Sequence, residues 1–265
     1  MIVLKALALG IVEGITEFLP ISSTGHLIVA SAVVNYPETS RETFEIFIQL
    51  GAVLAVVWNY LAPLSDLARR ASSENRARML IGKVLLAFLP AAAVGFLFHH
   101  MIEEHLFHPV VVAATLIIGG IVIIIVERRA WHFGVHTIEA TGWMQAFWVG
   151  VAQVLSLIPG VSLAGSTIIG GMFAGMDRPA STQFSFYLSI PTMFAASLYS
   201  LFKARHLLSA SDALPLCVGF VAAFISALIV VRAFITFVQR HTFTGFGYYR
   251  ILAGVAILAM LPFLG

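Results

Sequence analysis

The chain has 265 residues, of which 60% are hydrophobic and 11% are charged, with a mean hydropathy of +0.96. This composition excludes an ordinary soluble domain of that length and predicts a polytopic membrane protein. The formal net charge is only +2, which argues against a nucleic-acid partner.

Apolar segments long enough to cross a bilayer as helices recur along the chain. The expected spans are 44–61, 80–98, 109–126, 182–202, 214–238 and 247–264. Two further apolar regions, 2–34 and 142–175, are interrupted by proline, glycine and serine. Because each half of these regions is too short to cross alone, both are predicted to be re-entrant hairpins of two helices joined by a break.

The first hairpin carries the sequence EGITEFLPISSTGH over Glu13–His26. Charge is costly at hydrocarbon depth, so ionisable residues here indicate a functional site. Glu13 and Glu17 are spaced i, i+4 and therefore share one helical face. Two carboxylates in a low-dielectric site repel each other, so one must be protonated or a cation must lie between them. The alternative is a polar helix end at the membrane surface, capped by Ser22 or Ser23.

The second half of the chain repeats the pattern of the first. An alignment of the two hairpins pairs Glu13 with Gln153 and Ser23 with Ser162. Further along, the motif FEIFIQLG matches FSFYLSIP. Each half then consists of one broken hairpin and three spanning helices, and an odd number of spans gives the two halves opposite orientations.

The sequence therefore predicts an all-α polytopic membrane protein built as an inverted repeat. We expect one integral-membrane domain over 1–265, with repeats over about 1–126 and 142–265 and a site near the midplane where the hairpins meet. Lysine and arginine in the loops orient such a protein, because they are retained on the cytoplasmic side. The side of the membrane that holds most of these residues is predicted to be cytoplasmic, and both termini are then predicted to lie on the opposite, outer side. The basic residues on the cytoplasmic side are Arg69, Arg70, Arg76, Arg78, Lys83, Arg128, Arg129, Arg178 and Arg240.

Other polar segments each have two interpretations. Small and hydroxyl residues in the second hairpin indicate either an anion site at a helix N-terminus or a packing surface; these are Gly160, Ser162, Gly165, Ser166 and Thr167. Glu45 and Gln49 lie on one helical face and line either the same cavity, together with Gln153, or the hydrated outer surface. The segment from His99 to His108 is expected to be a solvated loop rather than a zinc site, and Asp66–Arg78 a solvated cytoplasmic loop.

The chain resembles the undecaprenyl-diphosphate phosphatases of the bacitracin-resistance type in four motifs that keep their order: EGITEFLPISSTGH, FEIFIQLGAVLAV, PGVS…GSTIIGGM and FSFYLSIP. The resemblance covers essentially the whole chain. It implies an enzyme of the bacterial cytoplasmic membrane that removes the terminal phosphate of undecaprenyl diphosphate. This reaction recycles the lipid carrier for peptidoglycan and other envelope polymers.

The resemblance also implies roles for individual residues. A divalent cation, Mg²⁺ or Ca²⁺, would bridge Glu13, Glu17 and the diphosphate. Ser23 would attack the terminal phosphorus or hold the attacking water, with His26 as general base or acid. An alternative makes His26 the nucleophile. The phosphates would be held by Ser22, Ser162, Gly165, Ser166 and Thr167.

One motif departs from the family pattern. The family usually has PGxSRSGAT, whereas this chain has PGVSLAGST, with Leu163 in place of the arginine and Ala164 in place of the second serine. A fixed cation aimed at a transferring phosphoryl group is often a large catalytic contribution. Two alternatives to hydrolysis follow: a transporter that moves polyprenyl phosphate across the membrane, and an inactive paralogue that sequesters it. The oligomeric state stays open, a homodimer included.

Overall fold

The computed structural model describes residues 1–129, 131–204 and 212–264. Within these residues the only strand-like pairing is an isolated bridge between Val135 and Met176, so the all-α prediction is confirmed. A short 3₁₀ turn, Leu155–Leu157, follows the seventh helix. The helices in chain order are α1 Ile2–Thr16, α2 Ser23–Val33, α3 Glu38–Asn59, α4 Leu61–Arg70, α5 Asn75–Leu106, α6 Pro109–Arg128, α7 Trp143–Val154, α8 Leu163–Phe173, α9 Arg178–Ala204, α10 Ala213–Val238 and α11 Thr244–Leu264.

The long apolar helices coincide with the expected spans. In the described part of the chain, five helices are long and apolar enough to cross a membrane: α5, α6, α9, α10 and α11. A sixth span is obtained if α3 and α4, which are bent by 67° at Tyr60, count as one. The prediction of a multi-pass membrane protein is therefore confirmed.

Two segments predicted as loops are helical instead. Helix α4 contains Asp66, whose carboxylate pairs with Arg70 at 2.8 Å one turn later. Helix α5 continues to Leu106 and so includes most of the segment from His99 to His108. Within it, Nε2 of His100 lies 3.8 Å from Oε2 of Glu104, one helical turn later. Such i, i+4 charge pairs stabilise helices whose composition alone suggests a solvated loop. Part of the proposed zinc segment lies outside the described side chains, namely His99 and Glu103; among the side chains that the structure describes there is no group of three or more metal-ligating residues.

Both apolar hairpins are broken as predicted, between α1 and α2 and between α7 and α8. The residue before the second helix of each hairpin has a positive φ, 70° at Ser22 and 77° at Ser162. Within the predicted repeat, these two matching backbone conformations pair Ser162 with Ser22, so the alignment of Ser162 with Ser23 was wrong by one residue. The corrected offset of 140 positions is the one that also pairs Glu13 with Gln153.

Glycines let the hairpins approach the long helices closely. Helix α1 packs along α10, where Gly14 lies against the backbone of Ala223. Helix α7 packs along α5, where Gly150 lies against the carbonyl group of Ala87. A side chain at either glycine would collide with these backbone atoms. Small residues at such contacts are the usual means of close helix packing in membranes, and here they bring both breaks into the interior.

Candidate active site

The two hairpin breaks meet around Arg250 of α11. This side chain is only 1% exposed, although it lies within an apolar span, in the second turn of α11. Its guanidinium group donates hydrogen bonds to backbone carbonyls of both breaks and of α6. The acceptors lie 2.9–3.4 Å away and are the carbonyl oxygens of Pro20, Gly160, Val161, Thr115 and Leu116.

Arg250 therefore holds three parts of the chain in one place. All three guanidinium nitrogens donate to carbonyl oxygens, so the group acts on the backbone rather than through a carboxylate partner. The Ser162 hydroxyl adds a direct link between the hairpins, at 3.4 Å from the carbonyl oxygen of Leu19. The buried positive charge and the N-terminus of α8 together give this region a positive potential, which favours an anionic ligand.

The acidic pair lies beside the first break. Glu13 and Glu17 are 2% and 7% exposed, and both are at the end of α1. The hydroxyl group of Ser23, the first residue of α2, donates a hydrogen bond to Oε2 of Glu17. The structure thus brings Glu17 and Ser23 together across the break. Oε2 of Glu13 is buried and has no hydrogen-bond partner among the described residues.

His26 lies one turn beyond Ser23, but its ring contacts other groups. Nδ1 is 2.7 Å from the carbonyl oxygen of Ser22, and Nε2 is 2.6 Å from the hydroxyl oxygen of Tyr249. The two rings are stacked, with centroids 5.5 Å apart and an interplanar angle of 2°. A carbonyl oxygen only accepts, so Nδ1 carries a hydrogen. In the neutral ring Nε2 then accepts the hydrogen of Tyr249.

The hydroxyl groups of the second hairpin are largely engaged within the protein. The side chain of Ser162 caps α8 by accepting a hydrogen bond from the amide of Gly165 at 3.1 Å. The hydroxyl of Ser166 donates to the carbonyl oxygen of Leu163, 3.0 Å away. The buried hydroxyl of Thr167 lies 2.6 Å from that of Ser185 on α9. Ser162 is therefore the member of this group that the structure places against the first hairpin.

The remaining candidates occupy three different environments. Glu45 pairs with Arg41 at 2.8 Å, and both side chains are about one-third exposed (30% and 32%). Gln49 accepts a hydrogen bond from Ser197 at 3.2 Å. Gln153, at the position that corresponds to Glu13, is fully buried, and its amide nitrogen lies 2.8 Å from the hydroxyl oxygen of Thr192. Gln153 lines a cavity between α5 and α9 that does not include Glu45 or Gln49 among its lining residues. The role of Glu45 and Gln49 as cavity-lining groups stays a prediction.

The donor set at the first break fits a hard divalent cation. The unpartnered carboxylate oxygen of Glu13 and the oxygen of Glu17 that Ser23 leaves free are ligands of the kind that Mg²⁺ and Ca²⁺ prefer. Mg²⁺ is commonly held by one or two carboxylates together with substrate phosphates rather than by a complete protein cage. Two glutamates are therefore sufficient protein ligands for such an ion.

Sequence reasoning missed Arg250 and Tyr249. Arg250 carried a usable signal, because a charged residue inside an apolar span is a functional candidate by default. Tyr249 carried none, since a tyrosine near a helix end is common in membrane proteins. Its contact with His26 joins residues separated by 223 positions in the chain.

Comparison with known proteins shows the family to which the chain belongs. The family model described as "Bacitracin resistance protein BacA" matches residues 6–256. The chain is 49% identical over 257 residues to a protein of Nitrosospira multiformis named undecaprenyl-diphosphatase, covering 97% of this chain and 94% of the relative. A protein of the same name from Aromatoleum aromaticum is 47% identical, covering 96% of this chain and 93% of the relative. Another from Dechloromonas aromatica is 48% identical, covering 99% of this chain and 96% of the relative. The chain that forms this Glu17–Ser23 site is thus a member of the bacitracin resistance protein BacA family.

Proposed function

We propose that the protein hydrolyses undecaprenyl diphosphate to undecaprenyl phosphate and inorganic phosphate. The names of its relatives support this activity. The observation that carries the proposal is the hydrogen bond from Ser23 to Glu17 at the break of a buried apolar hairpin. A carboxylate that accepts a hydrogen bond from a hydroxyl group can take the proton of that group, and this makes the hydroxyl oxygen a stronger nucleophile. The reaction would recycle the lipid carrier of cell-wall synthesis and so confer resistance to bacitracin.

The proposed chemistry has two steps. The oxygen of Ser23 attacks the terminal phosphorus while its proton passes to Glu17, and the bond from that phosphorus to the bridging oxygen breaks. Undecaprenyl phosphate leaves with the proton that Glu17 gained, which restores the carboxylate. Water then attacks the phosphoryl group on Ser23 while Glu17 takes a proton from that water, and Glu17 returns this proton to the oxygen of Ser23 as inorganic phosphate leaves. Alternatively Ser23 orients the attacking water. His26, whose two ring nitrogens face Ser22 and Tyr249, is proposed as the acid or base for the leaving phosphate rather than as the nucleophile.

The proposed cofactor is Mg²⁺ or Ca²⁺, held by Glu13 and Glu17. When bound, such an ion neutralises phosphate charge and orients the diphosphate. The diphosphate itself is proposed to lie at the N-termini of α2 and α8, near Ser22, Ser162 and Gly165. Backbone N–H groups and helix dipoles favour anions there. Ser166 and Thr167 are proposed to support this site by fixing the first turns of α8, since their hydroxyl groups bond within the protein.

The setting of this activity is also a proposal. We infer a position in the bacterial cytoplasmic membrane with both termini outside, from the distribution of lysine and arginine. The inverted repeat and a homodimer stay predictions. Non-hydrolytic transport of polyprenyl phosphate is the second candidate function. It rests on Leu163, which is partly buried and packs against the apolar core where the family has an arginine.

Two substitutions test the proposed chemistry directly. Ser23→Ala and Glu17→Gln in the purified protein should each lower phosphate release from undecaprenyl diphosphate by at least about 100-fold, the usual contribution of such groups. Ser65→Ala and Glu104→Gln are matched controls on exposed helix faces and should retain full turnover. Near-normal phosphate release by Ser23→Ala would contradict both roles proposed for Ser23, as the nucleophile and as the group that orients the attacking water. Near-normal release by Glu17→Gln would remove the base.

A further inference from the structure

An apolar cavity of about 410 Å³ leads away from His26. It lies between α1 and α2 on one side and α6 and α11 on the other. Its walls are apolar and include small side chains such as Ala30 on α2 and Ala253 on α11. It extends along α2 from His26 to Val34, a rise of about 12 Å. We call it the α2–α11 groove.

The two polar side chains that line the groove lie together at one end. They are His26 and Tyr249, which are hydrogen bonded and stacked. All other lining residues are aliphatic, glycine or methionine, and those at the opposite end include Val33 and Met260. The groove therefore suits a slender hydrocarbon chain whose polar end lies at the turn of α2 that carries Ser23.

We propose that the α2–α11 groove binds the first isoprene units of the lipid chain of the substrate. This inference rests on the proposed function, which puts a diphosphate at the hairpin breaks. The chain bonded to that diphosphate must leave the site through an apolar passage. The α2–α11 groove is an apolar passage that begins at a member of the EGITEFLPISSTGH motif, His26.

A second cavity of similar size makes the choice testable. It measures about 420 Å³, lies between α5 and α9, and includes Ala92 and Gln153 in its lining. Gln153 is fixed by Thr192, whose hydroxyl hydrogen goes to the carbonyl oxygen of Leu188, so Thr192 must accept from the amide nitrogen of Gln153. None of the described residues that line this cavity is acidic. The carboxylates of the proposed site lie at the first break, beside the α2–α11 groove. We therefore favour this groove over the α5–α9 cavity as the binding place of the lipid chain.

Filling each cavity separately tests the proposal. Ala30→Phe and Ala253→Phe fill the groove from opposite walls, and Ala92→Phe fills the α5–α9 cavity as the matched control. Phosphate release is measured with undecaprenyl diphosphate and with dimethylallyl diphosphate. The single isoprene unit of the short substrate occupies only the end of the groove at His26 and Tyr249, since Ala30 and Ala253 lie one helical turn, about 6 Å, further along. The groove variants should raise KM for the long substrate by about tenfold or more, the effect of excluding roughly two methylene groups. Their kcat, and both constants for the short substrate, should change little.

The control variant should leave KM for the long substrate unchanged. If Ala92→Phe raises it and the groove variants do not, the chain lies between α5 and α9 and the proposal is wrong. If wild type hydrolyses neither substrate, the proposed function fails and the groove is tested by binding alone. A photoreactive phenylalanine at Val29 should then cross-link to radiolabelled undecaprenyl phosphate, whereas the same residue at Ala92 should not. Equal labelling at both positions, or labelling only at Ala92, would refute the groove.

Discussion

Tyr249 donates a hydrogen bond to Nε2 of His26, with the two atoms 2.6 Å apart and the rings parallel. Because the carbonyl oxygen of Ser22 engages Nδ1, the two contacts together fix both the orientation and the tautomer of the imidazole ring. A ring that is held in this way is prepared for proton transfer at one nitrogen.

Tyr249→Phe keeps the stacked ring and removes only the hydroxyl group. We expect kcat for undecaprenyl diphosphate to fall about fivefold to tenfold, because a net hydrogen bond contributes on the order of 1 kcal/mol to the position of His26. KM should stay close to the wild-type value. Steady-state phosphate release gives both constants, and Tyr248→Phe, an exposed neighbour, is the control. An unchanged kcat would show that His26 does not depend on Tyr249.

Arg250→Met removes the guanidinium group that is hydrogen bonded to the backbone of both hairpin breaks. Five carbonyl oxygens lose a donor, and buried acceptors without partners are costly. We expect a loss on the order of 3 kcal/mol, which lowers the apparent unfolding temperature of the purified protein by about 6–12 °C. Arg240→Met, at an exposed arginine after α10, should shift it by less than about 2 °C. Equal shifts in the two variants would contradict the role assigned to Arg250.

Gly160 and Gly175 form a matched pair for testing the second break. Both have a φ of +90°, but a Cβ atom at Gly160 would lie 2.7 Å from the carbonyl oxygen of Val112, whereas one at Gly175 would meet nothing within 4 Å. Gly175→Ala should therefore cost about 1–2 kcal/mol from the backbone conformation alone. Gly160→Ala should cost about 1–3 kcal/mol more from overpacking, and should also reduce turnover. The difference between their unfolding temperatures measures the steric contribution, and a difference near zero would mean that the break is not tightly packed.

Restoring the family motif tests the consequence of Leu163. In wild type the charge of the missing arginine must come from a bound cation, Arg250 and helix N-termini. Leu163→Arg together with Ala164→Ser should therefore raise turnover and lower the concentration of divalent cation needed for half-maximal rate. The measurement is phosphate release over a series of Mg²⁺ concentrations. A double variant with the wild-type cation dependence would show that position 163 does not face the phosphates.

The hydrophobic pattern predicted most of the fold. Long apolar runs give spans, and prolines and glycines within such runs give breaks, since both signals are local. The amphipathic helix α4 was missed because its charged residues also suit a loop, and only its bend from α3 reveals it. The positive φ of Ser22 and Ser162 was also missed, because serine rarely adopts that conformation.

The candidate site was predictable only within each hairpin. Glu17 and Ser23 are six residues apart, and their contact follows from one break in one hairpin. The contacts of Arg250 with Pro20 and Gly160 join residues 230 and 90 positions apart. No local pattern encodes such distances, because they depend on how α11 packs along α6 and so places the side chain of Arg250 between the two breaks.

Phosphate release from undecaprenyl diphosphate by the purified wild-type protein tests the central claim most directly. The assay is run with Mg²⁺, with Ca²⁺ and with a chelator. We expect steady release that stops when the chelator is added and resumes when either cation is restored. Release of no phosphate at any cation concentration, by a protein that binds polyprenyl phosphate or moves it across vesicle membranes, would contradict hydrolysis and favour transport.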